Sequence, residues 1–186
     1  MSMRGEIISK EYQSMVFVHD KDGKEYALIG LNNGTAFIDI SDPINPIYLG
    51  NLPTHTGTSI WRDVKVYNNH AFIVADNVGN HGMQVFDLTR LREATSPQNF
   101  TSDAVYTGVG SCHNIFINEN TGIAYLVGCR GTNNGGPIFL DISNPTSPKL
   151  LGNYIGDGYS HDAQVITYSG PDTTYTGKEI YVGSNE

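Results

Sequence analysis

One motif occurs twice in this chain. Phe37-Ile38-Asp39-Ile40-Ser41-Asp42-Pro43-Ile44-Asn45-Pro46 returns as Phe139-Leu140-Asp141-Ile142-Ser143-Asn144-Pro145-Thr146-Ser147-Pro148, with Asp39 and Asp141 102 residues apart. Between them Val85-Phe86-Asp87-Leu88-Thr89 is a degenerate third copy, 48 residues after the first and 54 before the last. A fixed period restricts the fold, because each repeat is one supersecondary unit that buries its faces only against its neighbours. A period of about 50 residues is that of a propeller blade or a comparable β-repeat.

Each copy sits at the same place in a longer unit. Tyr26-Ala27-Leu28-Ile29-Gly30, Ala71-Phe72-Ile73-Val74-Ala75 and Ala124-Tyr125-Leu126-Val127-Gly128 precede the three copies in turn. These β-branched and aromatic runs, bounded by Gly, Asn and Asp clusters, read as strands, and no stretch keeps a helical period. Adding the flanking runs gives an all-β chain of four-stranded antiparallel blades. The first blade uses 14–18, 25–31, 35–40 and 46–50, and the second 63–67, 70–75, 82–87 and 103–107. The third uses 113–117, 123–128, 136–141 and 149–154, and a fourth begins at 162–168 and 178–183, after an N-terminal extension of 1–13. The Asp of each copy can bond the backbone that follows it, and the prolines end ladder pairing. Residues 89–94 replace that turn with a single helical turn.

The expected architecture is therefore a β-propeller or an open fragment of one, with about three and a half blades present. A propeller hides its strand edges by closing a ring of at least about four blades, so the chain is expected to be part of a longer protein. The alternatives are a small open assembly of sheets or an oligomer that completes the ring by self-association through open edges.

These residues resemble the LVIVD-repeat β-propellers of the choice-of-anchor B type. The resemblance spans about residues 14–186 and rests on six segments. They are Glu25-Tyr26-Ala27-Leu28-Ile29-Gly30, Asp39-Ile40-Ser41-Asp42-Pro43, Trp61-Arg62-Asp63-Val64-Lys65-Val66, Gly82-Met83-Gln84-Val85-Phe86-Asp87-Leu88, His113-Asn114-Ile115 and Ser160-His161-Asp162-Ala163-Gln164. It implies a propeller, and a bacterial protein that is secreted or on the cell surface. It implies little about biochemical role.

Composition narrows the partners. A formal charge of −8 repels phosphate backbones and anionic membranes, and no run of 18 apolar residues is present to span a bilayer. Met1-Ser2-Met3-Arg4-Gly5-Glu6 lacks the apolar core of a signal peptide. Either the protein is intracellular, or a signal lies outside this segment. An unknown protein, a glycan or a small ligand are the partners left.

Candidate chemistry gathers where the first strand of each blade begins. Aligning on apolar residues, Arg62, His113 and His161 share one position, and Asp63, Asn114 and Asp162 the next. First strands line the channel of a propeller, so these pairs are expected to form one ring, with Trp61 at its rim. Asp63, His113, His161 and Asp162 could hold a divalent cation such as Ca²⁺, Zn²⁺ or Mn²⁺. Alternatively, either His could act as a general base, or the ring could be a structural network that satisfies backbone ends, a reading Arg62 favours by adding positive charge. A non-enzymatic binding or scaffold module is the reading adopted, and a metal-dependent hydrolase is the rival. There is no nucleophile elbow, zinc-protease motif, phosphate loop or dinucleotide fingerprint.

Among weaker candidates, Asp20-Lys21-Asp22-Gly23 reads as a hairpin turn rather than a calcium loop, since the distal Glu is missing. His55 and His81 read as solvated loop residues, and His70 as structural. In a hairpin that pairs Asn118 with Ile123, Cys112 falls opposite Cys129, close enough for a disulfide.

Overall fold

The computed structural model describes residues 14–19 and 23–186. The N-terminal extension 1–13 and residues 20–22 of the expected turn lie outside the described residues. The first sheet is the antiparallel meander β1 (Met15–His19), β2 (Glu25–Leu31), β3 (Gly34–Asp39) and β4 (Ile47–Pro53). The second contains β5 (Arg62–Tyr67), β6 (His70–Ala75) and β7 (Met83–Asp87); β8 (Gln98–Asn99) leaves it to join β4, and β9 (Ala104–Tyr106) completes it. The third contains β10 (Asn114–Asn118), β11 (Ile123–Val127), β12 (Ile138–Asp141) and β13 (Lys149–Asn153). A fourth sheet pairs β14 (Ser160–Thr167) with β15 (Glu179–Asn185).

The apolar runs are continuous rather than alternating because the second strands are covered on both faces. Leu28 and Phe37 of the first sheet meet Val64, Ala71, Ile73 and Phe86 of the second. Phe72, Val74 and Val85 point the other way, onto Ile115, Leu126 and Leu140 of the third. Phe37 stacks on Phe86 at 4.6 Å and meets the edge of Phe100 at 5.5 Å. A buried Phe side chain of this kind stabilises by about 1.5–3 kcal/mol. The third and fourth sheets are joined by Tyr125 stacked on Tyr181 at 5.9 Å and by Asn118 donating to Glu179 at 2.7 Å.

The repeated Asp has a structural role. Asp39, Asp87 and Asp141 each accept the N–H two residues on, from Ser41, Thr89 and Ser143, all at 2.9 Å. Burial pushes the Asp39 carboxyl up, but bonds from Ser41 and the Lys24 ammonium outweigh it and hold the group below its ordinary value. The bond from Ser143 holds Asp141 low in the same way. In each unit the next N–H returns to the start of the second strand: Ile40 to Glu25, Leu88 to Asn69, Ile142 to Gly122.

Three details differ from expectation. The first sheet has five strands, because Gln98–Asn99 pairs in parallel with Gly50 and Asn51. Gly50, at φ +137°, leaves no room for a Cβ against the Gln98 backbone. The helical turn is a 3-10 segment at Leu88–Glu93, capped by Asp87, and further single 3-10 turns occur at Asn133–Gly135 and Thr173–Tyr175.

The first strands β1, β5, β10 and β14 run side by side. Val16, Lys65, Phe116 and Gln164, which occupy one repeat position, line a common groove of about 620 Å³. Lys65 Nζ lies 5.6 Å from the centre of the Phe116 ring. Successive sheets thus pack face to face with their first strands on one line, as successive blades do around an axis. Among the described residues no helix is long and apolar enough to cross a membrane.

Candidate functional site

The third sheet is closed at one end by a disulfide. The β10–β11 ladder keeps its register past its last named pair, through a Ser111–Arg130 bridge, and this sets Cys112 against Cys129. The two are bonded, with Cα atoms 3.9 Å apart. His113 and Arg130 each follow one of these cysteines, so the crosslink clamps the two arms that carry them.

Both arms reach back to Asp76, which follows β6 of the preceding sheet. Asp76 is almost wholly buried and its oxygens are fully engaged. Oδ1 accepts from Arg130 Nε at 2.8 Å and from the Asn77 N–H at 2.6 Å. Oδ2 accepts from His113 Nδ1 at 3.1 Å and from Arg130 at 3.4 Å. Since His113 gives its Nδ1–H to the carboxylate, the neutral ring keeps a lone pair on Nε2. The Arg130 guanidinium, raised above its ordinary pKa by Asp76, also lies 5.8 Å from the Tyr159 ring centre. Gly128, at φ +62°, makes this packing possible, because a Cβ there would come within 2.7 Å of His113 Cβ and of the Tyr159 hydroxyl.

His161 brings its ring to 4.3 Å from that of His113 and 6.5 Å from that of Tyr159. Trp61, 43 % exposed, completes the wall. Trp61, Asp76, His113, Arg130, Tyr159 and His161, together with Glu186, line a cavity of about 530 Å³.

Of the residues singled out in the sequence, Trp61, His113 and His161 meet here; the others do not. Arg62 is buried and turned to the first sheet. Its Nε donates to the Leu31 carbonyl at 2.9 Å and its other nitrogens to Thr54 at 3.0 Å and His81 Nε2 at 3.1 Å. Burial lowers its pKa to about 10. Asp63 is a second strut: Ser14, Lys65 and the N–H groups of Val64 and Ile115 all donate to its carboxylate. Asn114 donates to the His161 carbonyl at 3.0 Å, and Asp162 accepts the Ala163 N–H at 2.9 Å while lining a separate depression beside Val182 and Ser184.

The single ring expected from Arg62, Asp63, His113, Asn114, His161 and Asp162 is therefore split. Arg62, Asp63 and Asn114 tie sheets together, Asp162 bonds within its own strand, and two imidazoles are left to face a cavity. The expected metal set of Asp63, His113, His161 and Asp162 does not converge, because the Asp63 oxygens are consumed in the strut. No group of three or more His, Cys, Asp or Glu side chains among the described residues is placed to hold a metal ion.

His81 also departs from expectation. It is fully buried, not a solvated loop residue. Its Nδ1–H donates to the Gly82 carbonyl at 3.0 Å, which leaves Nε2 to accept from Arg62. Burial, aided by the Arg62 charge, lowers its pKa to about 4. His55 donates Nδ1–H to the His81 carbonyl at 2.8 Å, and His70 bonds the Asn68 carbonyl at 2.7 Å.

Comparison with known proteins speaks to the scaffold. Residues 23–54 and 131–155 match the family described as LVIVD repeat. These segments contain the two clearest motif copies and none of the six residues that wall the cavity. No curated protein matches the chain. Among solved structures, the N-terminal domain of Nup159 is similar with a TM-score of 0.40 and 9 % identity, over 75 % of this chain and 29 % of that one. The chain spans less than a third of that relative's length, and a likeness this distant carries no argument.

Proposed function

We propose that this chain is part of a propeller of the choice-of-anchor B type, acting as a non-enzymatic binding module at the cell surface or in secreted form. The ligand enters the cavity between Trp61 and the two imidazoles. The observation that carries this reading is the buried Asp76, held by Arg130 and His113 from a disulfide-clamped hairpin. Such a carboxylate orients its partners and presents them, without free oxygens of its own for acid–base work. Recognition by a few fixed polar groups on a partly aromatic wall is what small-ligand sites use. The disulfide supports an oxidising compartment. The repeat matches and the face-to-face packing of sheets support the propeller, with three full blades and the opening of a fourth.

Imidazole NMR tests this reading. A library of cationic, anionic and neutral small molecules should contain compounds that shift the His113 and His161 ring signals, and Arg130→Ala should abolish those shifts. Hits that perturb only residues outside the cavity would refute the site. Chelator-sensitive ester or phosphoester hydrolysis that disappears in His113→Ala would refute the non-enzymatic role.

A further inference from the structure

We infer, building on the cavity reading, that its ligand is an uncharged saccharide. The charges in the cavity already answer one another. Asp76 is matched by Arg130, and Glu186 leaves the lining slightly negative, as is the whole chain at −8. An anionic ligand is therefore opposed by both the local and the overall field. A cationic ligand would need more than one free aromatic face gathered around a carboxylate, and Trp61 offers a single open ring. The Tyr159 ring is taken by Arg130 at 5.8 Å, and the Asp76 oxygens are fully bonded.

What the cavity offers instead is a flat apolar wall beside mixed donors and acceptors. Trp61 keeps 43 % of its surface open. Arg130 has five N–H groups and gives only some of them to Asp76, while His113 Nε2 is an acceptor once Nδ1–H is committed. Sugar hydroxyls donate and accept at once, so one ligand can satisfy both kinds of group, and its C–H face suits the indole. The volume of about 530 Å³ lies within the range for small-ligand sites, about 300–1,000 Å³.

Trp61 is the chain's one tryptophan, so its fluorescence reports on this wall directly. The probes are maltotetraose, cellotetraose, xylotetraose and N-acetylated chitotetraose, with tetragalacturonic acid and choline as the charged contrast. At least one neutral tetrasaccharide should shift or quench the emission saturably and bind by calorimetry. Trp61→Ala should weaken that binding by about tenfold or more, and Trp61→Phe should recover part of it, with unchanged melting temperatures. No heat from any neutral probe at millimolar concentration would overturn the inference, as would binding that survives Trp61→Ala. With the His113 and His161 signals moving, tighter binding of tetragalacturonic acid would overturn the uncharged character of the ligand, tighter binding of choline would overturn the saccharide class, and either would leave the cavity reading standing.

Discussion

Arg62 opens β5, and His113 stands at the equivalent place one sheet later. Both reach back to the end of the second strand in the sheet before. Arg62 finds backbone there, the Leu31 carbonyl, and is sealed in by Thr54 and His81. His113 finds a carboxylate, Asp76, and its ring stays partly open beside His161. One repeat position thus yields a strut in one place and a site wall in the next. The difference lies in the residue that receives it. Leu31 leaves only main chain to bond, whereas Asp76 supplies a side chain that also draws in Arg130 from across the hairpin.

The sharpest way to break this comparison is to truncate both residues. Arg62→Ala leaves the Leu31 carbonyl and His81 Nε2 buried without partners. At about 1–3 kcal/mol for each unsatisfied group plus lost packing, the expected cost is about 4 kcal/mol. His113→Ala leaves Asp76 still bonded to Arg130 and Asn77, and should cost about 1 kcal/mol. Urea denaturation of the two variants measures the difference. Equal losses would mean that His113 is a strut too.

The disulfide gives the next largest effect. Cys112 and Cys129 are 17 residues apart, and replacing both with Ala should cost about 3 kcal/mol in the chain-entropy model. Because the crosslink clamps His113 and Arg130, the loss should also appear at the cavity, as weaker Trp61-monitored ligand binding. Arg62 is anchored elsewhere, and amide exchange around Leu31 should not change. Faster exchange at Leu31 together with Asp76 would show that the clamp acts on the whole stack.

Much of this architecture was legible in the chain itself, for reasons particular residues make plain. Strands sandwiched between neighbours must be apolar on both faces, so Tyr26–Gly30, Ala71–Ala75 and Ala124–Gly128 announce themselves. The hairpin register follows from the turn at Asn118–Ile123, and with it the meeting of Cys112 and Cys129. The two-residue strand Gln98–Asn99 was not legible, because its pairing depends on Gly50 in another unit. The site was legible in part. Aligning strand starts finds His113 and His161, but it also groups them with Arg62 and Asp63, whose burial depends on the sheet before. Asp76, Arg130 and Tyr159 escaped because they follow or precede strands instead of opening them. A signal existed: Asp76 is a charged residue where the other two copies place Asn32 and Cys129.

The smallest of the three effects concerns the neighbour that seals Arg62. His81 is held neutral, with a pKa lowered from 6.5 to about 4 by burial first and then by the Arg62 charge. In the unfolded chain the same imidazole takes up a proton near its ordinary value, so between these limits the unfolded state binds more protons. Stability is therefore intact above about pH 6.5, falls as pH drops toward 4, and levels off below it as far as His81 is concerned. The loss reaches about 2 kcal/mol by pH 5. Asp39 and Asp141, whose pKa values lie below the ordinary aspartate value, are lost only in more acid solution, so the window from pH 7 to 5 isolates His81 from them. His81→Gln keeps a donor for the Gly82 carbonyl and an acceptor for Arg62 but cannot titrate. Denaturation at pH 7, 6 and 5 should therefore show a falling stability for the natural chain and a flatter one for the variant. Parallel slopes would mean that His81 takes up its proton as readily in the folded chain as in the unfolded one, and that Arg62 is sealed by something other than an imidazole held neutral.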